Sequence, residues 1–303
     1  MTLQDRILNN IRKAQPETLR ILSIDHREPL ITLAQELGVA PERISAFKLL
    51  VVEAAAHVAT ARAATTRDGF GMFLDGGHGR QALVSAGKKN LWLARPIDKP
   101  HARPLEFEGT GTLEVILADY PSAHTVKCAL YAHPDEGVVF WEQTEHALER
   151  LARACRTHGL ELLLETLSSP HGVVADDTTA RVMQRLYRLG IKPDWWLVEA
   201  QPSTAAWRKV GDVIRENDGN CRGLLTIARS LGDFGTVAKA AKTEMLVKGF
   251  CAGRSVFGDT VSPWMRGELS DHQAIDTMAT TFETLVSEWD NTPYTVQHKV
   301  PTT

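Results

Sequence analysis

The chain has 303 residues, 43% of them hydrophobic and 23% charged, with a formal net charge of −3. That length suits a single α/β barrel with a large core, and near neutrality removes the electrostatic case for general nucleic-acid or anionic-membrane binding. Cys128, Cys155, Cys221 and Cys251 form no C-x-x-C pair and read as reduced core residues. The N-terminal run MTLQDRILNNIRKAQ has no apolar signal core, and no apolar run approaches the roughly 18 residues of a membrane span, so a cytoplasmic protein is expected.

Residues 1–18 predict an N-terminal helix, 19–290 a barrel domain, and 291–303 an irregular tail. Leu19–Ile24 is the first predicted strand and ends in Asp25-His26-Arg27. Pro29–Leu37 and then Glu42–Ala64 have helical period, the second opened by Pro41. Phe70–Leu74 predicts the second strand and Asn90–Ala94 the third, which ends at Arg95. Residues 97–112 read as a loop, and Leu113–Leu117 as a short helix or an extra strand. Thr125–Tyr131 is the fourth strand, followed by a helix over Glu142–His158. Leu160–Thr166 and Asp194–Glu199 are the fifth and sixth strands, separated by a helix over Asp176–Leu189. Ser203 reads as the N-cap of the next helix. Arg222–Ile227 and Met245–Cys251 are the last two strands, with a helix over Gly232–Lys242 between them. Pro263–Arg266 and His272–Trp289 predict terminal helices.

Eight apolar strands alternating with helices argue a closed (β/α)8 TIM barrel rather than an open sheet. In such a barrel the chemistry lies at the C-terminal ends of the strands. Those ends carry Asp25, Arg27, Arg95, Glu165, Glu199, Arg229 and the Gly253-Arg254-Ser255 turn, with Lys127 inside the fourth strand. Lys127 is the one charged side chain inside the apolar run Thr125–Tyr131, and a buried ammonium is costly unless it is paired or deprotonated. It is therefore either a structural cation or a working group. Lys127 with Asp25, Glu165 and Glu199 forms an acid–base set, although a buried ion pair between strands fits the same residues. Gly253, Arg254 and Ser255, joined by Arg27, Arg95 and Arg229, suit a phosphate beside a helix N-terminus; a tight turn with a solvated arginine is the plainer alternative.

His26, His78, His124 and His133 fall near the expected mouth but show no metal-ligand spacing, so neither a metal nor a cofactor is expected. Trp195-Trp196 reads as packing rather than a stacking platform.

The runs I-D-H-R, F-K-x-L, A-R-P, V-K-C-x-x-Y-x-H-P-D-E, E-L-L-L-E, G-I-K-P-D-W-W and K-G-F-x-x-G-R-S occur between Ile21 and Phe257. Together they resemble the aldolase-like domain fused to the C-terminus of some bacterial 5-dehydro-2-deoxygluconokinases. That domain is similar, more distantly, to class I tagatose-bisphosphate aldolases. The resemblance extends to Trp289 and implies a free-standing version of the domain. It implies a Schiff-base aldolase acting on 2-deoxy-5-keto-gluconate 6-phosphate in myo-inositol catabolism, yielding dihydroxyacetone phosphate and malonate semialdehyde. It also places the imine-forming lysine on the sixth strand, where this chain has Leu197.

The expectation is thus an aldolase-type lyase acting on a phosphorylated keto-sugar acid, with Lys127 as nucleophile or essential cation. Two alternatives stand beside it: an acid–base or metal-assisted isomerase or lyase without an imine, and a non-catalytic sugar-phosphate binder. A small-molecule partner is expected, with no nucleic acid and no membrane; association into a homo-oligomer is left open.

Overall fold

The protein is described here by a computed structural model covering residues 15–63 and 69–295. Most of the expected N-terminal helix and the end of the expected tail lie outside these residues. In chain order the elements are β1 (Leu19–Ser23), α1 (Glu28–Glu36), α2 (Glu42–Ala63), β2 (Gly69–Phe73), α3 (Arg80–Lys88) and β3 (Trp92–Pro96). Next come α4 (Leu113–Ala118), β4 (Thr125–Tyr131), α5 (Val138–His158), β5 (Leu162–Leu167), α6 (Thr178–Arg188) and β6 (Trp195–Val198). The chain closes with α7 (Thr204–Asn217), β7 (Gly223–Ala228), α8 (Phe234–Ala241), β8 (Val247–Ala252), α9 (Arg254–Met265) and α10 (Asp271–Asn291).

The strands form one closed parallel barrel in sequence order, with β8 pairing back onto β1. This is a (β/α)8 barrel, and its strands are apolar because both of their faces are covered. The outward set, including Leu22, Met72, Leu93, Val126, Leu164, Trp196 and Phe250, packs under the helices. The inward set is a separate cluster of Leu19, Ile21, Phe73, Trp92, Ala94, Leu163, Trp195, Leu197, Leu225 and Cys251. The adjacent tryptophans therefore serve opposite faces. Trp195 meets Trp92 edge-on inside the barrel, 6.3 Å between ring centres, while outward Trp196 donates its Nε1–H to the Tyr187 hydroxyl at 2.8 Å.

Some elements differ from the sequence expectation and others agree with it or settle its alternatives. The α3 helix had no predicted counterpart. Residues 113–118 are a helix rather than a strand, and Ser203 does cap α7, accepting from the Ala206 N–H. Pro263 lies inside α9, which starts nine residues before the expected helix, immediately after the β8 turn. Contrary to expectation, one helical stretch, Glu42–Arg62, is long and apolar enough by window to cross a membrane. Half of it is buried in the protein, where α2 packs on α10 and β2, so the barrel accounts for its apolar side. All four cysteines are free thiols.

Barrel closure depends on one very close approach. Gly249 of β8 lies opposite Leu19 of β1, and a Cβ there would sit 1.8 Å from the Leu19 carbonyl oxygen. Backbone cannot yield that much without opening the seam. Gly249→Ala should therefore destabilise the fold by about 3 kcal/mol, the upper end of ordinary overpacking, as read by urea denaturation. An unchanged midpoint would show that the seam can widen freely.

Candidate active site

Lys127 lies on the inward face of β4, and its ammonium is held by carboxylates from two other strand ends. Its Nζ is 3.0 Å from Oδ2 of Asp25, just beyond β1, and 2.6 Å from Oε2 of Glu165 on β5. Asp25 is fixed in turn by the Ser23 hydroxyl, which donates to Oδ1 at 2.6 Å. A third carboxylate, Asp98, is buried close by and accepts the Ala129 N–H at 2.9 Å. The Phe73 ring forms the apolar wall, its centre 5.2 Å from Nζ. These groups line the inner part of a cavity of about 600 Å³ that opens between Arg27, His101, Arg103, Arg229 and Arg254.

Burial opposes the charge on Lys127, but Asp25, Glu165 and Asp98 outweigh it and hold the ammonium well above the ordinary lysine value. Burial also opposes the charge on Asp25, yet Lys127 and the Ser23 hydroxyl keep its carboxyl well below the usual range. Glu165 and Asp98 shift the other way. Burial raises both, more than Lys127 lowers them, and neighbouring Asp25 adds repulsion. One ammonium is thus shared by three acids whose proton affinities are pushed apart. Such a set can keep one carboxylate ionised while another trades protons. His26 is driven down to about 4 chiefly by burial, so its ring is neutral near pH 7.

Comparison with known proteins adds a family and a fold. Residues 3–293 match the family described as "Uncharacterized protein conserved in bacteria (DUF2090)". The chain belongs to the DUF2090 family. No curated protein sequence matches it. Among solved structures it is similar to Cgl0159 from Corynebacterium glutamicum, with a TM-score of 0.51 and 13% identity over 92% of this chain and 91% of that one. An identity that low supports the barrel fold alone.

The DUF2090 barrel brings some of the expected site residues together and separates others. Asp25, Arg27, Lys127, Glu165, Arg229, Gly253, Arg254 and Ser255 all line the cavity. Arg27 is committed to the Asp98 carbonyl oxygen at 2.8 Å and to Glu108 at 2.7 Å. Arg254 is exposed at the start of α9, where the Val256 N–H already turns back to the Gly253 carbonyl oxygen at 2.8 Å, so that the N–H groups left for a ligand are those at the very start of the helix. Ser255 Oγ donates to the Ala228 carbonyl oxygen at 2.8 Å, tying that turn to β7.

Two residues stand apart from the expected set. Glu199 does not line the cavity: one oxygen accepts from the Ser168 and Ser169 N–H groups and the other pairs with Arg229 at 2.9 Å. It holds the loop after β5. Arg95 is also outside the cavity. The β3 strand runs on to Pro96, so Arg95 follows inward-facing Ala94 and points out, with its guanidinium 4.2 Å from the Tyr120 ring centre. Leu197 faces inward beside Glu165, its register partner on β5. Among the described residues no group of three or more His, Cys, Asp or Glu side chains is placed to hold a metal ion.

The residues that sequence reading missed are Lys48 and Asp98. Lys48, on α2, has no exposed surface, and all three of its donors are used. It donates to the Ile24 carbonyl oxygen at 2.9 Å, the His26 carbonyl oxygen at 3.0 Å and the Asp75 carboxylate. Asp75 also accepts from the Gly77 and Gly79 N–H groups. Lys48 therefore grips the backbone on both sides of Asp25 and locks it to the loop after β2. A signal was present: Lys48 lies four residues from both Ile44 and Val52, on the apolar face of the helix. Removing one partner of a buried ion pair strands the other, so Lys48→Met should cost about 3–5 kcal/mol of stability. The added change Asp75→Asn should recover part of that loss. A double-mutant cycle in urea measures both, and strictly additive losses would contradict the coupling.

Proposed function

We propose that the protein is an aldolase-type carbon–carbon lyase that acts on a phosphorylated keto-sugar acid, in the cytoplasm, in myo-inositol or related carbohydrate catabolism. The observation that carries this reading is a buried ammonium between two carboxylates of opposite proton affinity, facing the mouth cavity of the barrel. Cleaving a β-hydroxy ketone needs a base for the hydroxyl proton and an electron sink at the carbonyl. Glu165, with its raised carboxyl, suits the proton transfer, and Lys127 suits the sink. The phosphate sits at the first turn of α9, beside Gly253, Arg254, Ser255 and Arg229. The sequence resemblance to the kinase-fused aldolase domain supports 2-deoxy-5-keto-gluconate 6-phosphate as the substrate to try first.

In the imine form of the reaction, Lys127 passes a proton to Glu165, its amine adds to the ketone and water leaves. The C–C bond then breaks toward the iminium as a carboxylate takes the hydroxyl proton, the aldehyde departs, the carboxylic acid returns that proton to the enamine carbon, and hydrolysis of the iminium frees the ketone and the lysine amine. A second reading has its own support. Leu197 occupies the inward place where the resemblance expects the imine lysine, and Lys127 is held firmly as an ammonium. In that reading Lys127 stays charged and stabilises the enolate oxygen, and the site runs acid–base lyase or isomerase chemistry. A sugar-phosphate binder without turnover remains the non-catalytic alternative.

The test is release of dihydroxyacetone phosphate from 2-deoxy-5-keto-gluconate 6-phosphate, followed by borohydride trapping and mass spectrometry. An adduct on Lys127 supports the imine; turnover with no lysine adduct supports the ammonium; ligand binding without product formation overturns the lyase. Lys127→Met should lower kcat/KM by about a thousandfold or more, since either role places it at the developing charge. The pH profile gives an independent check. A base must be deprotonated to act, and burial lifts Glu165 above its ordinary value of 4.5. Activity should therefore fall on the acid side with a midpoint above 4.5, and a lower midpoint would remove Glu165 from the base role.

A further inference from the structure

The mouth has two walls lined with hydrogen-bond donors, and the reading above uses one of them. Arg229, Gly253, Arg254 and Ser255 lie on the β7–β8 side, and His101, Arg103, Tyr131 and His171 lie on the β3–β5 side of the same cavity. In a closed barrel of eight strands, β4 is four strands from β8 in either direction, so these walls face each other. Tyr131 shares the inward face of β4 with Lys127, four residues and roughly 13 Å further up the strand. Its ring lies 5.0 Å from that of His101 and 6.4 Å from that of His171.

This second wall is built from donors. Arg103 is held by Glu136 and His171, which take two of its five N–H groups, and its guanidinium lies 4.9 Å from the Phe140 ring centre. His101 adopts a left-handed backbone, φ 55°, which a residue other than glycine holds only when its surroundings impose it. Burial and nearby Glu165 push the Tyr131 phenol up to about 12, so it keeps its proton to donate. Glu136 already balances much of the Arg103 charge. What remains suits one singly charged, planar acid better than a dianionic phosphate, which the α9 terminus serves.

We propose that His101, Arg103, Tyr131 and His171 form a carboxylate subsite for the end of the substrate remote from its phosphate. The inference rests on the proposed cleavage of a phosphorylated keto-sugar acid and deepens it. In that cleavage the carboxylate leaves on the aldehyde fragment, so this wall holds the aldehyde product and selects a sugar acid over a neutral sugar phosphate or a bisphosphate.

Calorimetric titration with two uncleavable ligands tests it: 6-phosphogluconate, and glucitol 6-phosphate, which lacks the carboxylate. The wild type should bind 6-phosphogluconate at least about tenfold more tightly, the weight of one charge-assisted contact. Arg103→Gln should abolish that preference while leaving glucitol 6-phosphate within about twofold, and Arg254→Gln should weaken both ligands alike. Tyr131→Phe, a smaller change, should narrow the preference should Arg103→Gln fail to fold. Equal affinity of the wild type for both ligands, or equal weakening of both by Arg103→Gln, overturns the subsite. Turnover plays no part in the readout. A preference that depends on Arg103 in a protein without lyase activity sustains the subsite and removes the function; cleavage with no such preference does the reverse.

Discussion

The site depends on a charge imbalance: three buried carboxylates around one ammonium. Lys127 contacts Asp25 and Glu165 directly, and Asp98 lies within their field. Burying these ions without partners would be prohibitive. Pairing reduces that penalty but leaves surplus negative charge, which Arg27 offsets at Asp98. Burial, with repulsion from Asp25, leaves Glu165 and Asp98 with a raised proton affinity, while Lys127 and the Ser23 hydroxyl lower that of Asp25. The chemistry proposed for the mouth follows from that division of labour between acids only a few ångströms apart.

The barrel keeps the division in place. β1, β4 and β5 deliver the three ions from separate strands, so their spacing is set by the closed sheet rather than by flexible loops. Beneath them the packed Phe73, Trp92, Trp195 and Leu197 exclude water. Beside them the Lys48–Asp75 pair fixes the carbonyl oxygens on either side of Asp25. Its position is thus determined from its own side chain and from its backbone. Leu197 adds dryness where a second amine would have relieved the negative charge, and its presence makes the electrostatics of Lys127 more severe.

The barrel was legible because eight apolar runs alternate with helical periods. Which face of each strand turned inward was not, since both faces are apolar; only register with neighbouring strands separates Trp195 from Trp196. Lys127 stood out as a lone charge in an apolar run, and Asp25 and Glu165 followed from strand ends. Arg95 was misplaced because the third strand was read as ending one residue before it; two further residues of strand turn that side chain outward. Glu199 shares the mouth end of its strand, but its partners on the β5 loop and β7 are remote in sequence and could not be foreseen. Lys48 was hidden because a lysine in a helix is ordinarily solvated, and only its spacing from Ile44 and Val52 sets it on the apolar face. Asp98 sits in a polar loop and carries no local signal at all.

The most direct test of this account is the charge state of the Lys127 amine itself. Lysine side-chain NMR across a pH titration, assigned with Lys127→Arg, reads it without any substrate. The account predicts that Lys127 stays an ammonium through and beyond pH 10.5, and that Asp25→Asn or Glu165→Gln brings its titration down. An amine that loses its proton near neutral pH in the unliganded protein would contradict it, because the carboxylates would then not be holding the charge.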